Sequence, residues 1–184
     1  DLHTHTTFSH DGRSTATEMA AQAFALGLTH YGFSEHFDYD YPEHDLRIDG
    51  VPPAEIDAAA YFAAARRLQR EYAPRGMQLL VGCECGFDPS PRCNARYRAM
   101  IERFCPDYVI NSVHTVAGKE AYFAEYFQGK TKEEAYASYL SAVRASLDAA
   151  YPYDIVAHIG YASRNAPYED RKLRYRDYAA RYDD

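Results

Sequence analysis

Short apolar runs alternate with longer stretches of helical periodicity along this 184-residue chain, and almost every run ends in a histidine or a carboxylate. Such alternation restricts the chain to β-α units around a parallel sheet, because parallel neighbours need a long crossover and helices are what cover the sheet. The runs predict a first strand holding His3 and His5, then strands over residues 28–33, 78–83, 107–111 and 154–157. Thr15-Ala16-Thr17-Glu18 is a capping-box pattern, and the Ala-rich helix it opens stops at Gly27. Further helices are expected over 53–72 and 92–104, and from the Thr131 to Glu134 cap to residue 150, with a last polar helical segment after the final strand. The Tyr-, Asp- and Pro-rich stretch between His36 and Pro53 is long for a connector, so it reads as a lid or substrate wall.

Chemistry enters at the strand ends. Alternate side chains of a strand share a face, so His3 and His5 point the same way, and His10 follows in a turn marked by Asp11-Gly12. Taken alone, the first pair could be a surface accident; His36, Glu84, His114 and His158, however, also fall at or just past predicted strand ends. In a β/α barrel those ends converge on one rim, where imidazoles and a carboxylate can share a metal ion. His30, just before a strand, reads as structural, and His44 as a solvated or lid residue. Cys83 and Cys85 flank Glu84 and should face away from it, packing as small apolar groups. With no C-x-x-C pair, signal peptide or membrane-length apolar run, a reduced cytoplasm is the expected compartment and no membrane partner is expected. The net charge of −7 without a basic cluster argues against a long nucleic-acid substrate, so any phosphate must be met by metals or a few placed arginines.

Asp1-Leu2-His3-Thr4-His5 with Ser9-His10-Asp11-Gly12, Ser34-Glu35-His36, Gly82-Cys83-Glu84, Asn111-Ser112-Val113-His114, and Val156-Ala157-His158 with Ser163-Arg164 together resemble the polymerase and histidinol phosphatase (PHP) family, in its histidinol-phosphatase branch. The resemblance runs the whole length. It implies a distorted seven-stranded TIM-like barrel, of which about five strands would be present here, and residues 1–184 as one metallophosphoesterase domain. It also implies two to three divalent ions (zinc, iron or manganese): one on His3, His5 and Glu84, a second on Glu84, His114 and His158, a third on His10 and His36. Glu84, His114 and His158 would act in catalysis through a metal-bound hydroxide that attacks the phosphorus of L-histidinol phosphate, a small-molecule phosphomonoester.

Arg164 is the favoured phosphate contact, because a guanidinium forks onto two phosphate oxygens, with Lys119 and Arg13 as weaker candidates. Ser34, Glu35 and Asn111 would hold hydrogen bonds that orient the imidazoles, and Asp38, Tyr39 and Tyr41 would meet the rest of the substrate. Family members close the site with an Asp-x-His pair that is absent after His158, so the chain is expected to be part of a longer protein, with Asp177, Asp183 and Asp184 poor substitutes. Two other readings stay open: a phosphodiesterase or nuclease acting on a small nucleotide, and a non-catalytic module whose metals only hold the fold.

Overall fold

A computed structural model describes residues 1–48 and 50–179. The elements in chain order are α1 (Ala16–Ala25), β1 (His30–Phe37), α2 (Asp40–Glu43), α3 (Ala58–Tyr72), β2 (Gln78–Gly86), α4 (Pro91–Phe104), β3 (Tyr108–Ser112), β4 (Thr115–Val116), β5 (Lys119–Glu120), α5 (Ala124–Phe127), α6 (Lys132–Ser146) and β6 (Ile155–Val156). Both predicted capping boxes form: Thr15 and Glu18 cap α1 reciprocally, and Thr131 and Glu134 do the same for α6. The second long helix begins at Ala58 rather than near residue 53, because Asp57 is the side chain that caps it, accepting from the Ala60 amide at 3.0 Å. Of the expected last helical segment the described residues hold a 3-10 turn at Tyr175–Asp177 and a helical Ala179; residues 180–184, Asp183 and Asp184 among them, lie outside the described residues.

The main sheet is parallel, in the order β1-β2-β3-β6. Among the described residues it stays an open α/β sheet and does not close into a barrel. The predicted first strand is an extended segment along the free edge of β1 and not a regular strand. Backbone bonds from Gly32 to Asp1 and from Ser34 to Thr4 alternate there with hydroxyl bonds, Thr4 Oγ1 to the Gly32 carbonyl at 2.7 Å and the Thr4 amide to Ser34 Oγ at 3.0 Å. β1 and β2 also run further than expected, so His36 and Glu84 lie inside strands rather than beyond them. Their register sets His36 level with Glu84, and Glu84 level with Ile110 of β3.

Strand alternation divides the two faces. Phe33, Phe37, Leu79, Val81, Cys83 and Cys85 pack with Tyr61, Ala65 and Leu68 of α3 and Tyr97 of α4 in the principal core, which leaves Glu84 on the other face as expected. A second core joins α6 to the loops beyond β3 through Tyr126, Tyr136 and Tyr139. The inner face holds Tyr108, Ile110 and Ala157, against which Leu2, Leu80 and Ile155 are partly buried. The β4 and β5 hairpin, turned by Ala117 and Gly118 at positive φ, is an element that sequence periodicity did not reveal. Among the described residues no helix is long and apolar enough to cross a membrane.

Candidate metal centre

Glu84 is fully buried, and five imidazoles close on its carboxylate. Oε2 faces His3 Nε2 at 3.1 Å, His5 Nε2 at 3.4 Å and His36 Nδ1 at 3.2 Å, while Oε1 faces His158 Nε2 at 2.8 Å and His114 Nε2 at 3.3 Å. Ser112, two residues before His114, also donates its hydroxyl to Oε1. These groups come from the N-terminal segment, β1, β2, the end of β3 and the end of β6, which is how residues far apart in sequence reach one point. His158 is held at φ 25°, a left-handed conformation costing about 1–3 kcal/mol in a non-glycine residue, of the kind that functional sites store.

Burial opposes charge on Glu84, but the imidazoles of His114 and His36 and the hydrogen bonds from His114 and His158 outweigh it and hold the carboxyl well below its usual range. Burial, aided by the charge of His36, pushes His5 down to about 4, and burial also lowers His158 and His10. Neutral imidazoles are the form that ligates metals. His36 and His114 go the other way: burial disfavours their charge, but Asp38 and Glu84 raise both, His36 to about 9.

The donor set fits cations. Among the described residues, buried polar atoms without a hydrogen bond include Glu84 Oε2, His5 Nδ1, His36 Nδ1, His158 Nδ1 and Asp38 Oδ2, all in this one cluster. Such an atom left unpaired typically costs about 1–3 kcal/mol, so a group of them calls for a partner. Ligand atoms within 4.8 Å of one another form three groups: His3, Glu84 and His158; His5, His36 and Glu84; His36, Asp38 and His114. These groupings cut across the sets that the resemblance implies, and none includes His10, whose ring lies 5.2 Å from that of His36. The loop carrying His10 turns at Gly12, where a β-carbon would stand 1.7 Å from the Thr6 carbonyl oxygen.

The imidazoles open onto a cavity of about 780 Å3. Arg164, Arg13 and Tyr41 line it, as do Asp11, Glu120, Tyr122, Phe123 and Tyr161, which sequence reasoning did not select. Arg164 lies 5.7 Å from the ring centroid of Tyr161. Lys119 is not among the lining residues; its ammonium donates to the Glu125 carbonyl at 3.3 Å, because the β4 and β5 hairpin carries it outward. Tyr39 stacks on Tyr97 beneath Arg96, on the core side of the loop. Asp38 stands between His36 and His114 with its side chain almost wholly covered; two residues past His36, this placement could have been found by extending the strand's alternation.

Glu35 does not touch an imidazole. It accepts from the Thr6 amide at 3.0 Å and the Ser9 hydroxyl at 2.6 Å, while Ser9 Oγ accepts from the His36 amide, so it fixes the loop between His5 and His10. Asn111 points to the helix face, bonded to the Ser146 carbonyl and the Tyr151 hydroxyl. Ser34 pins the N-terminal segment through Thr4. His44 pairs with Asp88 at 2.7 Å and is not simply solvated, while His30 meets Thr29 at 3.1 Å.

The chain is 29% identical over 180 residues to the histidinol-phosphatase of Lactococcus lactis subsp. lactis (strain IL1403), covering 95% of this chain and 61% of that protein. A crystal structure of histidinol phosphate phosphatase (HISK) from that organism, complexed with zinc, L-histidinol and phosphate, superposes with a TM-score of 0.80 at 29% identity, over 97% of this chain and 64% of that one. A hisK structure from Listeria monocytogenes shares the fold at 23% identity, with a TM-score of 0.67 over 81% of this chain and 61% of that one. The chain therefore spans a little under two thirds of the length of these relatives. The PHP domain family model matches residues 1–184, the full stretch over which the imidazoles are gathered on Glu84, and the chain belongs to the PHP domain family.

Proposed function

We propose that this chain carries the metal centre of a metal-dependent phosphomonoesterase that hydrolyses L-histidinol phosphate to L-histidinol and phosphate. The convergence of five imidazoles on the buried Glu84 carries the reading. The Lactococcus relative, whose structure holds zinc, L-histidinol and phosphate, supports the substrate. The finer fold proposed is the seven-stranded barrel of the family, to which the open parallel sheet would contribute, with residues 1–184 belonging to that single domain.

His3, His5 and Glu84 would hold one ion, Glu84, His114 and His158 a second, and His10 with His36 a third. Imidazole and carboxylate donors suit zinc, iron and manganese alike. Divalent ions bound there would lower the pKa of water and offset charge on phosphoryl oxygens. Glu84 has two oxygens facing two sets of imidazoles, which suits it to bridge. Arg164 and Arg13 line the same cavity as the imidazoles, and a guanidinium there would meet the phosphate of a bound ester. Tyr41 would wall the rest of the substrate. A small-molecule phosphomonoester is the proposed partner, and the reduced cytoplasm the proposed compartment.

The test is elemental analysis of the complete protein together with phosphate release from a panel holding histidinol phosphate, other phosphomonoesters and small nucleotide diesters. Two to three bound ions and preference for histidinol phosphate are expected. Preference for the diesters would replace the substrate class, and bound ions without turnover of any ester would favour the non-catalytic reading.

A further inference from the structure

Asp38 follows β1 two residues after His36, so the strand's alternation carries it to the same side of the sheet. Its side chain is only 7% exposed. Oδ1 accepts from His114 Nδ1 at 2.9 Å, which leaves the opposite ring nitrogen, Nε2, turned to Glu84 Oε1 at 3.3 Å. Oδ2 makes no hydrogen bond and faces His36 Nδ1, also without one, at 3.4 Å, while Glu84 Oε2 lies 3.2 Å from the same nitrogen. One carboxylate therefore stands between imidazoles delivered by two different elements. Gly86 of β2 makes the room: a β-carbon there would lie 2.5 Å from Asp38 Oδ1 and 3.4 Å from His114 Nδ1. The Asp38 carbonyl accepts from the Tyr41 amide at 3.2 Å, so the backbone is tied down as well.

We propose that Asp38 is a positioning residue of the metal centre, a single carboxylate that holds both His114 and His36 in the tautomer and orientation for ligation and so links two ion positions. The inference rests on the ligand roles proposed above for those histidines. A ligating imidazole generally donates its other ring N–H to a carboxylate or carbonyl, which fixes the ring and makes it a better donor to the ion. His114 has that geometry in full. For His36 the pair must close by about 0.4 Å to reach the usual N···O distance of about 3.0 Å.

The complete protein is compared with Asp38→Asn and Gly86→Ala by zinc titration against a chromophoric chelator, and by imidazole 15N NMR of the zinc-free forms. Asp38→Asn should weaken two zinc positions by about 10–100-fold, leave the ion on His3 and His5 as in the wild type, and shift the tautomer signals of His114 and His36 alone. Gly86→Ala, which presses on the carboxylate from the sheet, should weaken the same two positions, and it decides the matter if Asp38→Asn does not fold. Unchanged zinc affinities in a wild type that binds zinc would overturn this inference alone. Outright loss of one ion with the others untouched would also overturn it, making Asp38 a ligand. A wild type that takes up no zinc would overturn the metal reading and this inference together.

Discussion

At the residue scale, Glu84 and Arg164 represent two kinds of contribution. Glu84 is a buried charge kept ionised by its imidazoles, and its value lies in facing both sets at once. Glu84→Gln keeps the size and removes the charge, so bound zinc should fall below the wild-type stoichiometry and phosphate release should drop by more than about 100-fold, beyond the range typical of an outer partner. Elemental analysis and steady-state turnover check this, and full zinc with normal turnover would show that Glu84 does not bridge. Arg164 is exposed at the cavity and its proposed contact is with substrate. Arg164→Ala should raise KM by about 10-fold, equivalent to about 1.4 kcal/mol, with zinc content unchanged. Unaltered kinetics would return Arg164 to the solvent-facing surface.

At the element scale, the sheet's face depends on how the helices hold it. Arg66 and Gln69 of α3 both reach Asp107, which also accepts from the Val81 amide at 2.7 Å, so one carboxylate joins α3, β2 and the approach to β3. Burial opposes the charge of Asp107, but Arg66, the Val81 amide and Gln69 outweigh it and lower its pKa. A carboxyl lowered on folding adds stability that is fully present above its unfolded value, about 3.9, and is lost as pH falls through the folded value. Asp107→Asn should therefore cost about 1 kcal/mol at pH 7, after allowance for solvent screening, and the gap from wild type should close as pH falls below the unfolded value of about 3.9 and through the lowered folded one. Urea melts of both proteins across that range measure it, and a gap that persisted in acid would assign the cost to packing instead.

On the scale of the whole molecule, the candidate metal centre joins the N-terminal segment to all four strands of the main sheet, so ions bound there would act as a crosslink of the fold. A ligand that binds only the native state at about 100 times its dissociation constant adds about 2.7 kcal/mol, and a chain of this size shifts by about 2–4 °C per kcal/mol. Stripping the ions with a chelator should thus lower Tm by about 5–10 °C and abolish phosphate release, with both restored by zinc. Calorimetry of the stripped and reloaded protein checks it; an unchanged Tm would mean that the ligands are preassembled without help from the ions.

What the sequence determined is what depends on neighbours along the chain. The capping boxes at Thr15 and Thr131 form as read, and Cys83 and Cys85 turn away from Glu84, because caps and strand alternation involve only a few consecutive residues. The ligand-type residues at strand ends were legible for the same reason, and the resemblance to a family added the expectation that they meet. Tertiary structure decided which groups face one another. Glu35 and Asn111 stand near the proposed ligands in sequence yet serve the N-terminal loop and the helix face, whereas Asp38 reaches between two imidazoles. Lys119 was carried outward by a hairpin too short to leave a periodic signal. The partner of a buried carboxylate is set by which strand lies next to it and in what register, and the pairing of His36 with Glu84 across β1 and β2 is a property of the folded sheet that no local pattern encodes.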